Sequence, residues 1–486
     1  MSEQLRKNKS DGRKNRLLWL MVLAVLLIAS VLVLVFMKRP VQDNDIPDAI
    51  TYGELMQHDA AEVQSLTITR RGEAPWTIRR KNDGTLALAE DPAFNLEQGL
   101  AEQLLRAVAV ISYDDILTED KAEYIDQLEE LGLAQPRLTL DIAYTDGQTV
   151  RLNIGMASPL EDETWSYMLV EGDDRLFAVD KGTVDMMSLD RETLHPVVQP
   201  VIHKSRMNRI TFEYENGTQA AWQLMTDITD SDVDAAWYMT SPKRYPADAE
   251  SISNLRSSIA NLRVGAYVGQ ATDENLTKYG FARPRFVLTI HQAAGTVASS
   301  GTNGAASAVD YPESTVTITV GGSKSEYVDY VLVEDCIYTT GHFGIGALMD
   351  MDVTATLSRY PVTMALGKLK ELHITAPDRD EHYILHRETV VGEDGTAQEQ
   401  VTVTCNGQPF SWEAFEAAYL RLETVTVSGV LPQNASIGAV HTTYRFTASG
   451  GQTVAVSLAE FDAMHDAVVI DGSAVFYIIK NGMMFP

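Results

Sequence analysis

Past residue 48 the chain runs in short stretches where apolar and polar side chains alternate. Three times these give way to a segment whose apolar residues fall three and four apart. The first rhythm puts every second side chain on one face of a β-strand, and the second makes a stripe along an α-helix. Val63-Gln-Ser-Leu-Thr-Ile68 with Trp76-Thr-Ile78 reads as a strand, a turn and a returning strand. So do Met207-Asn-Arg-Ile-Thr-Phe212 with Trp222-Gln-Leu224, and Leu369-Lys-Glu-Leu-His-Ile374 with Tyr383-Ile-Leu385. Helical patterns follow at Leu96–Val110, Ala249–Leu262 and Trp412–Leu422. Further strands come next: Leu138–Tyr144 and Thr149–Ile154 flank Thr145-Asp-Gly-Gln148, a hairpin signal.

These blocks are copies of one another. Glu130-Leu-Gly-Leu-Ala-Gln-Pro-Arg137 answers to Lys278-Tyr-Gly-Phe-Ala-Arg-Pro-Arg285 at an offset of 148, and Ser166-Tyr-Met-Leu-Val-Glu171 answers to Asp329-Tyr-Val-Leu-Val-Glu334 at 163. The 15 extra residues fall between the strands Phe286–Gln292 and Thr315–Val320. That stretch, residues 293–314, is rich in Ala, Gly, Ser and Thr, and is expected to be a flexible insertion. A degenerate third copy carries Tyr444-Arg-Phe446, the turn Ser449-Gly-Gly451, Val454-Ala-Val456 and the hairpin Val468–Ile479. The fold class expected is α+β: three tandem repeats, 48–200, 201–365 and 366–486, of antiparallel hairpins with a covering helix. Trp76, Trp222 and Tyr383 occupy equivalent strand positions and read as core anchors.

Ahead of the repeats lies an uncharged run of 21 residues, Leu17–Met37, without Pro or Gly. A helix of that length covers about 30 Å, the thickness of a bilayer's hydrocarbon core. Arg6, Lys7, Lys9, Arg13, Lys14 and Arg16 precede it, and Lys38 and Arg39 follow. The positive-inside rule then leaves residues 1–16 as a cytoplasmic tail, 38–47 as a linker, and the repeats outside the cytoplasmic membrane. The run exceeds the ~7–15-residue apolar stretch of a cleaved leader and meets no small-x-small site, so the anchor is expected to stay.

Charge splits at the same place. Residues 1–39 carry a net of +6, and the remainder, with 31 basic and 65 acidic residues, a net of −34. A surface this acidic repels phosphate backbones, so no nucleic-acid partner is expected. Apolar content of 45% supports real cores. Two cysteines, Cys336 and Cys405, lie in strand-like segments and read as small hydrophobes rather than as a disulfide framework.

Candidate chemistry is thin. His382 and His386 stand four apart but align with a returning strand, and Tyr383 follows where a His-Glu-x-x-His zinc motif needs Glu. Asp230-Ser-Asp-Val-Asp234 resembles the opening of a calcium loop, yet Ala235 replaces the glycine and Ser241 the bidentate glutamate. Gly341-His-Phe-Gly-Ile-Gly346 reads as a link into a helix, not a phosphate loop. No catalytic, metal or cofactor residue is singled out.

The anchor, the Val63-Gln-Ser-Leu-Thr-Ile68 strand, the Leu131-Gly-Leu-x-x-Pro136 turn and the Tyr-x-x-Val-Glu hairpins together resemble a bacterial family, domain of unknown function 4340. The resemblance implies a membrane-anchored extracytoplasmic protein, often an accessory component of ABC-type export systems related to gliding motility. It offers no catalytic residues. The function expected is therefore a non-enzymatic binding or scaffold role, with an ABC-type permease as partner. The alternatives are a binding module for an envelope polymer or small ligand, and, behind it, an envelope enzyme.

Overall fold

A computed structural model describes residues 53–159, 164–225, 237–300, 306–391, 397–432 and 434–485. The run 17–37 and Asp230–Asp234 lie outside the described residues. Among those described, no helix is long and apolar enough to cross a membrane.

Helices are few and sheets are antiparallel throughout, an α+β arrangement rich in strands. Three large sheets, of eight, nine and nine strands, share one order of elements. Each begins with an eight-residue opening strand, Val63–Arg70, Met207–Tyr214 or Leu369–Ala376. The chain folds back as Trp76–Arg80, Gln219–Leu224 or Arg379–Val391, then turns again into Leu86–Leu88, Trp237–Ser241 or Ala397–Cys405. A twelve-residue helix follows: Gln98–Ala109, Ala249–Ala260 or Trp412–Glu423. A short strand, Asp115–Thr118, Tyr267–Gln270 or Gly429–Val430, then crosses to the far edge. A four-strand meander fills the gap between the opening strand and that edge.

Local chemistry explains these boundaries. Asp248 and Ser411 accept hydrogen bonds from Ser251 N (2.8 Å) and Ala414 N (3.2 Å), capping the second and third helices. Helix residues at steps of three and four are buried: Leu104, Leu105 and Val108; Ile252, Leu255 and Ile259; Phe415, Tyr419 and Leu422. Each is worth about 1.5–3 kcal/mol of burial. Leu138–Tyr144 and Phe286–Gln292 alternate strictly between buried and half-buried side chains, so one face of each sheet meets the core. Trp76, Trp222 and Tyr383 lie in these cores at 7%, 0% and 2% exposure.

Residues 53–92 and 98–189 form one compact unit, and 93–97 with 190–485 the other. In the second unit one continuous core runs through both nine-stranded sheets. Tyr245 and Phe476 meet edge to face at 5.3 Å, and Lys243 Nζ donates to Ala474 O at 2.6 Å.

Two features depart from the repeated plan. The stretch 293–314, expected as a flexible loop, contains Gly295–Ser300 paired antiparallel with Ala306–Tyr311. These strands extend a hairpin whose last rung, Gln292 opposite Ser314, already holds the chain ends together, so little closure entropy remains to be met. Arg206, buried and donating to Ala293 O (2.9 Å) and Pro312 O, fixes the base. The third sheet's return strand has 13 residues against 5 and 6 in the others. Its ladder to the opening strand stops at Ile384, and Arg387–Val391 pair only with Ala397–Val401. That ribbon projects about 15 Å.

Candidate functional site

One register position carries a buried polar side chain in all three sheets. The third meander strands, Trp165–Val170, Val328–Val333 and His465–Ile470, align through Met168, Val331 and Val468, which pair with Ile154, Val320 and Leu458. Two residues earlier stand Ser166 (0% exposed), Asp329 (0%) and Asp466 (3%). The residue preceding the first meander strand, or its register equivalent, supplies the partner: Arg137, Arg285 and His441. Arg137 Nη2 donates to Ser166 Oγ at 2.8 Å, Arg285 Nη2 to Asp329 Oδ1 at 2.5 Å, and His441 Nε2 lies 3.2 Å from Asp466 Oδ1.

The Gly-x-x-x-Pro-Arg turns found in the sequence put the first two arginines there. After the short helix Asp273–Lys278, Phe281 N returns to Leu276 O (2.8 Å) and the chain reverses at Gly280, whose φ is +84°. Tyr279 O then accepts from Gly322 N at 2.7 Å. Side chains cannot fit at this junction: a Cβ on Gly280 would stand 2.7 Å from Gly322 N, and one on Gly321 2.5 Å from Tyr279 O. Arg285 N bonds Val320 O (2.9 Å) and its Nε bonds Gly321 O (2.6 Å), which aims the guanidinium at Asp329. Leu131 and Gly155 make the corresponding close approach in the first sheet.

Asp329 is the richest of the three positions. Ser323 Oγ donates to its Oδ1 at 2.8 Å and His342 Nδ1 to its Oδ2 at 2.6 Å. An ionised carboxylate only accepts, so Nδ1 carries the imidazole proton. Burial pushes the Asp329 carboxyl up, but hydrogen bonds from His342, Ser323 and Arg285 outweigh it and hold the group below the usual carboxylate range. A buried Asp orienting a histidine through Nδ1 is also how hydrolases prepare a general base. Here Ser323 is spent on Asp329, and the imidazole lies against Gly346, where a Cβ would come within 2.8 Å of Nε2. The cluster ties the first residue of the helix His342–Met349 to the sheet.

That helix holds Phe343 at 79% exposure, its ring 6.0 Å from that of Tyr327, itself 57% exposed. Beside the pair, between His342–Met349 and Ala249–Ala260, runs a groove of about 750 Å³.

The residues considered from sequence fall elsewhere. His382 and His386 stand on the strand Arg379–Val391; His382 Nε2 lies 3.2 Å from Glu371 Oε2, and its ring 5.2 Å from that of His373. No cluster of three or more His, Cys, Asp or Glu among the described residues is arranged to hold a metal. Cys336 and Cys405 are half-buried and free. Gly341 precedes the helix to which Asp329 is tied.

Residues 237–342 match the model of a family described as Domain of unknown function (DUF4340). The resemblance read in the sequence holds over this stretch. Arg285, Ser323, Asp329 and His342 all fall within the DUF4340 region, and the match stops at the residue before Phe343. No curated protein matches the chain.

Proposed function

We propose that this is a single-pass protein of the cytoplasmic membrane whose extracytoplasmic sheets bind and scaffold, serving as an accessory subunit of a membrane complex. An ABC-type exporter is the complex that the family resemblance implies. The anchor rests on the uncharged run 17–37 and the basic residues before it. The binding role rests above all on the ribbon Arg387–Val391 with Ala397–Val401. Two strands alone are marginal in water. Arg387 ties this one down at its base, through Leu366 O (2.6 Å) and Glu399 Oε2 (3.0 Å). Farther out, Val390 and Val391 are 45% and 65% exposed. Adjacent strand residues point to opposite faces, so the ribbon offers an apolar contact on each side, which a protein partner would bury.

The test places the photo-crosslinking residue p-benzoylphenylalanine at Val391 in the full-length chain. Intact cells are irradiated and the detergent-extracted products identified by mass spectrometry. A crosslink to a transporter permease or its neighbour supports the reading. Recovery of the uncrosslinked protein alone overturns it.

A further inference from the structure

The groove beside Phe343 has two unlike walls. Ser251, Asn254, Ser258 and Asn261 line it from the Ala249–Ala260 side, spaced by three, four and three residues and so stacked on one helix face. From Ser251 to Asn261 this row covers about 15 Å. Asn254, Ser258 and Asn261 are exposed, and their side chains are spent on no other group among the described residues. The facing wall is apolar, Gly344, Ala347, Leu348 and Met351, with the ring of Phe343 at the rim.

Charge narrows the occupant. The chain carries 67 acidic residues, yet among the described residues no carboxylate lines the groove. Its one ionisable lining residue, Arg263, donates to Ala260 O (3.1 Å) and Leu262 O (2.7 Å), closing the helix end. A cationic ligand finds no counter-charge here. An apolar helix laid in the groove would leave the Ser/Asn row without water or partners, an unfavourable loss for each group. An extended peptide is usually held by an open strand edge, and these walls are helices. What remains is a chain rich in neutral hydroxyls with apolar C–H faces. Each amide supplies both donors and an acceptor, and exposed aromatic rings give such faces a surface to stack on.

We propose that this groove binds a neutral oligosaccharide segment, with Asn254, Ser258 and Asn261 pairing sugar hydroxyls and Phe343, backed by Tyr327, stacking on a ring. The cluster at Asp329 and His342 then positions Phe343. This gives the polymer-binding alternative a site and a ligand class, and it stands apart from the ribbon, whose crosslinking tests the accessory-subunit reading separately.

Full-length protein in lipid nanodiscs is titrated calorimetrically with chitotetraose and cellotetraose as neutral probes. Tetragalacturonate serves as an anionic probe and a Ser/Asn-rich decapeptide as a peptide probe. Saturable binding of a neutral probe is expected, weakened at least fivefold by Phe343→Ala and by Asn254→Ala with the melting temperature unchanged. Asn254 is a surface helix residue, so its variant tests the groove even where Phe343→Ala disturbs the fold. Failure of both neutral probes overturns the proposal, whatever the other two do. Neutral-probe binding that survives both substitutions overturns it as well.

Discussion

Asp329 shows how much one side chain organises in this molecule, because Arg285, Ser323 and His342 all converge on it at 0% exposure. Replacing it by Ala strands those donors. Loss of one partner from a buried pair costs about 3–5 kcal/mol; Arg285, at 30% exposure, regains some hydration, so Asp329→Ala is expected to cost about 2–4 kcal/mol. Chemical denaturation of the full-length protein measures this. The pH dependence has a definite sign. The folded-state pKa lies below the unfolded value of about 4, so the stabilisation is complete above that value and is lost as the pH falls through the depressed folded one. Between pH 7 and pH 3 wild type should lose more stability than Asp329→Asn, and equal losses would refute the assignment. The third sheet offers the opposite experiment. Asp466 Oδ1 is buried and among the described residues lacks a hydrogen bond despite His441 at 3.2 Å, where the other two sheets place arginine. A guanidinium offers five donors in a fork that suits carboxylates. His441→Arg should therefore stabilise the protein, by about 1 kcal/mol, and a lowered denaturation midpoint would show that the position does not accept the longer side chain.

At the scale of elements, the turn through Gly280 serves two purposes, reversing the chain and delivering Arg285. Gly280 and Gly407 both have positive φ, +84° and +79°, but a Cβ would meet Gly322 N at 2.7 Å in the first and nothing within 4 Å in the second. Gly407→Ala should cost only the left-handed conformation, about 1–2 kcal/mol. Gly280→Ala must also push two backbones apart and should cost more, besides weakening the hold on Asp329. Thermal melts of the two variants side by side decide this, and equal losses would mean that the close approach carries no energy. Much of this level was readable in the sequence. Strand and helix periods placed Leu138–Tyr144 and Phe286–Gln292 to the residue, and the three helices to within two residues at each end. Asp329 too was open to inference, since it is in phase with Val331 and Val333 on the buried face. His342 was not, because its link to Asp329 depends on the meander strand and the following helix meeting in space. The hairpin within 293–314 was also hidden, since it draws on the strands that flank it rather than on its own apolar pattern.

For the whole molecule, the repeat fixes an order of strands that sequence comparison alone leaves open: each meander lands between the opening strand and an edge strand reached only after the helix. Matching of blocks shows that copies exist. It does not show which edges pair, because register and neighbour choice come from side chains packed across strands distant in sequence. The groove was invisible for the same reason, since it opens between two helices that meet only in space, and the projecting ribbon because it is a place where one copy departs from its siblings. The charge division gives the last test. With +6 over residues 1–39 and −34 beyond, the basic end should stay in the cytoplasm while the repeats cross the membrane. Protease added to intact spheroplasts should then degrade the chain from the linker onward and leave a fragment containing residues 17–37 in the membrane. Deleting those residues should move the protein out of the membrane fraction altogether. A chain fully protected in spheroplasts but cut after lysis would place the sheets, the ribbon and the groove in the cytoplasm, and the exporter-accessory and envelope-sugar readings would fall together, since neither partner would be within reach.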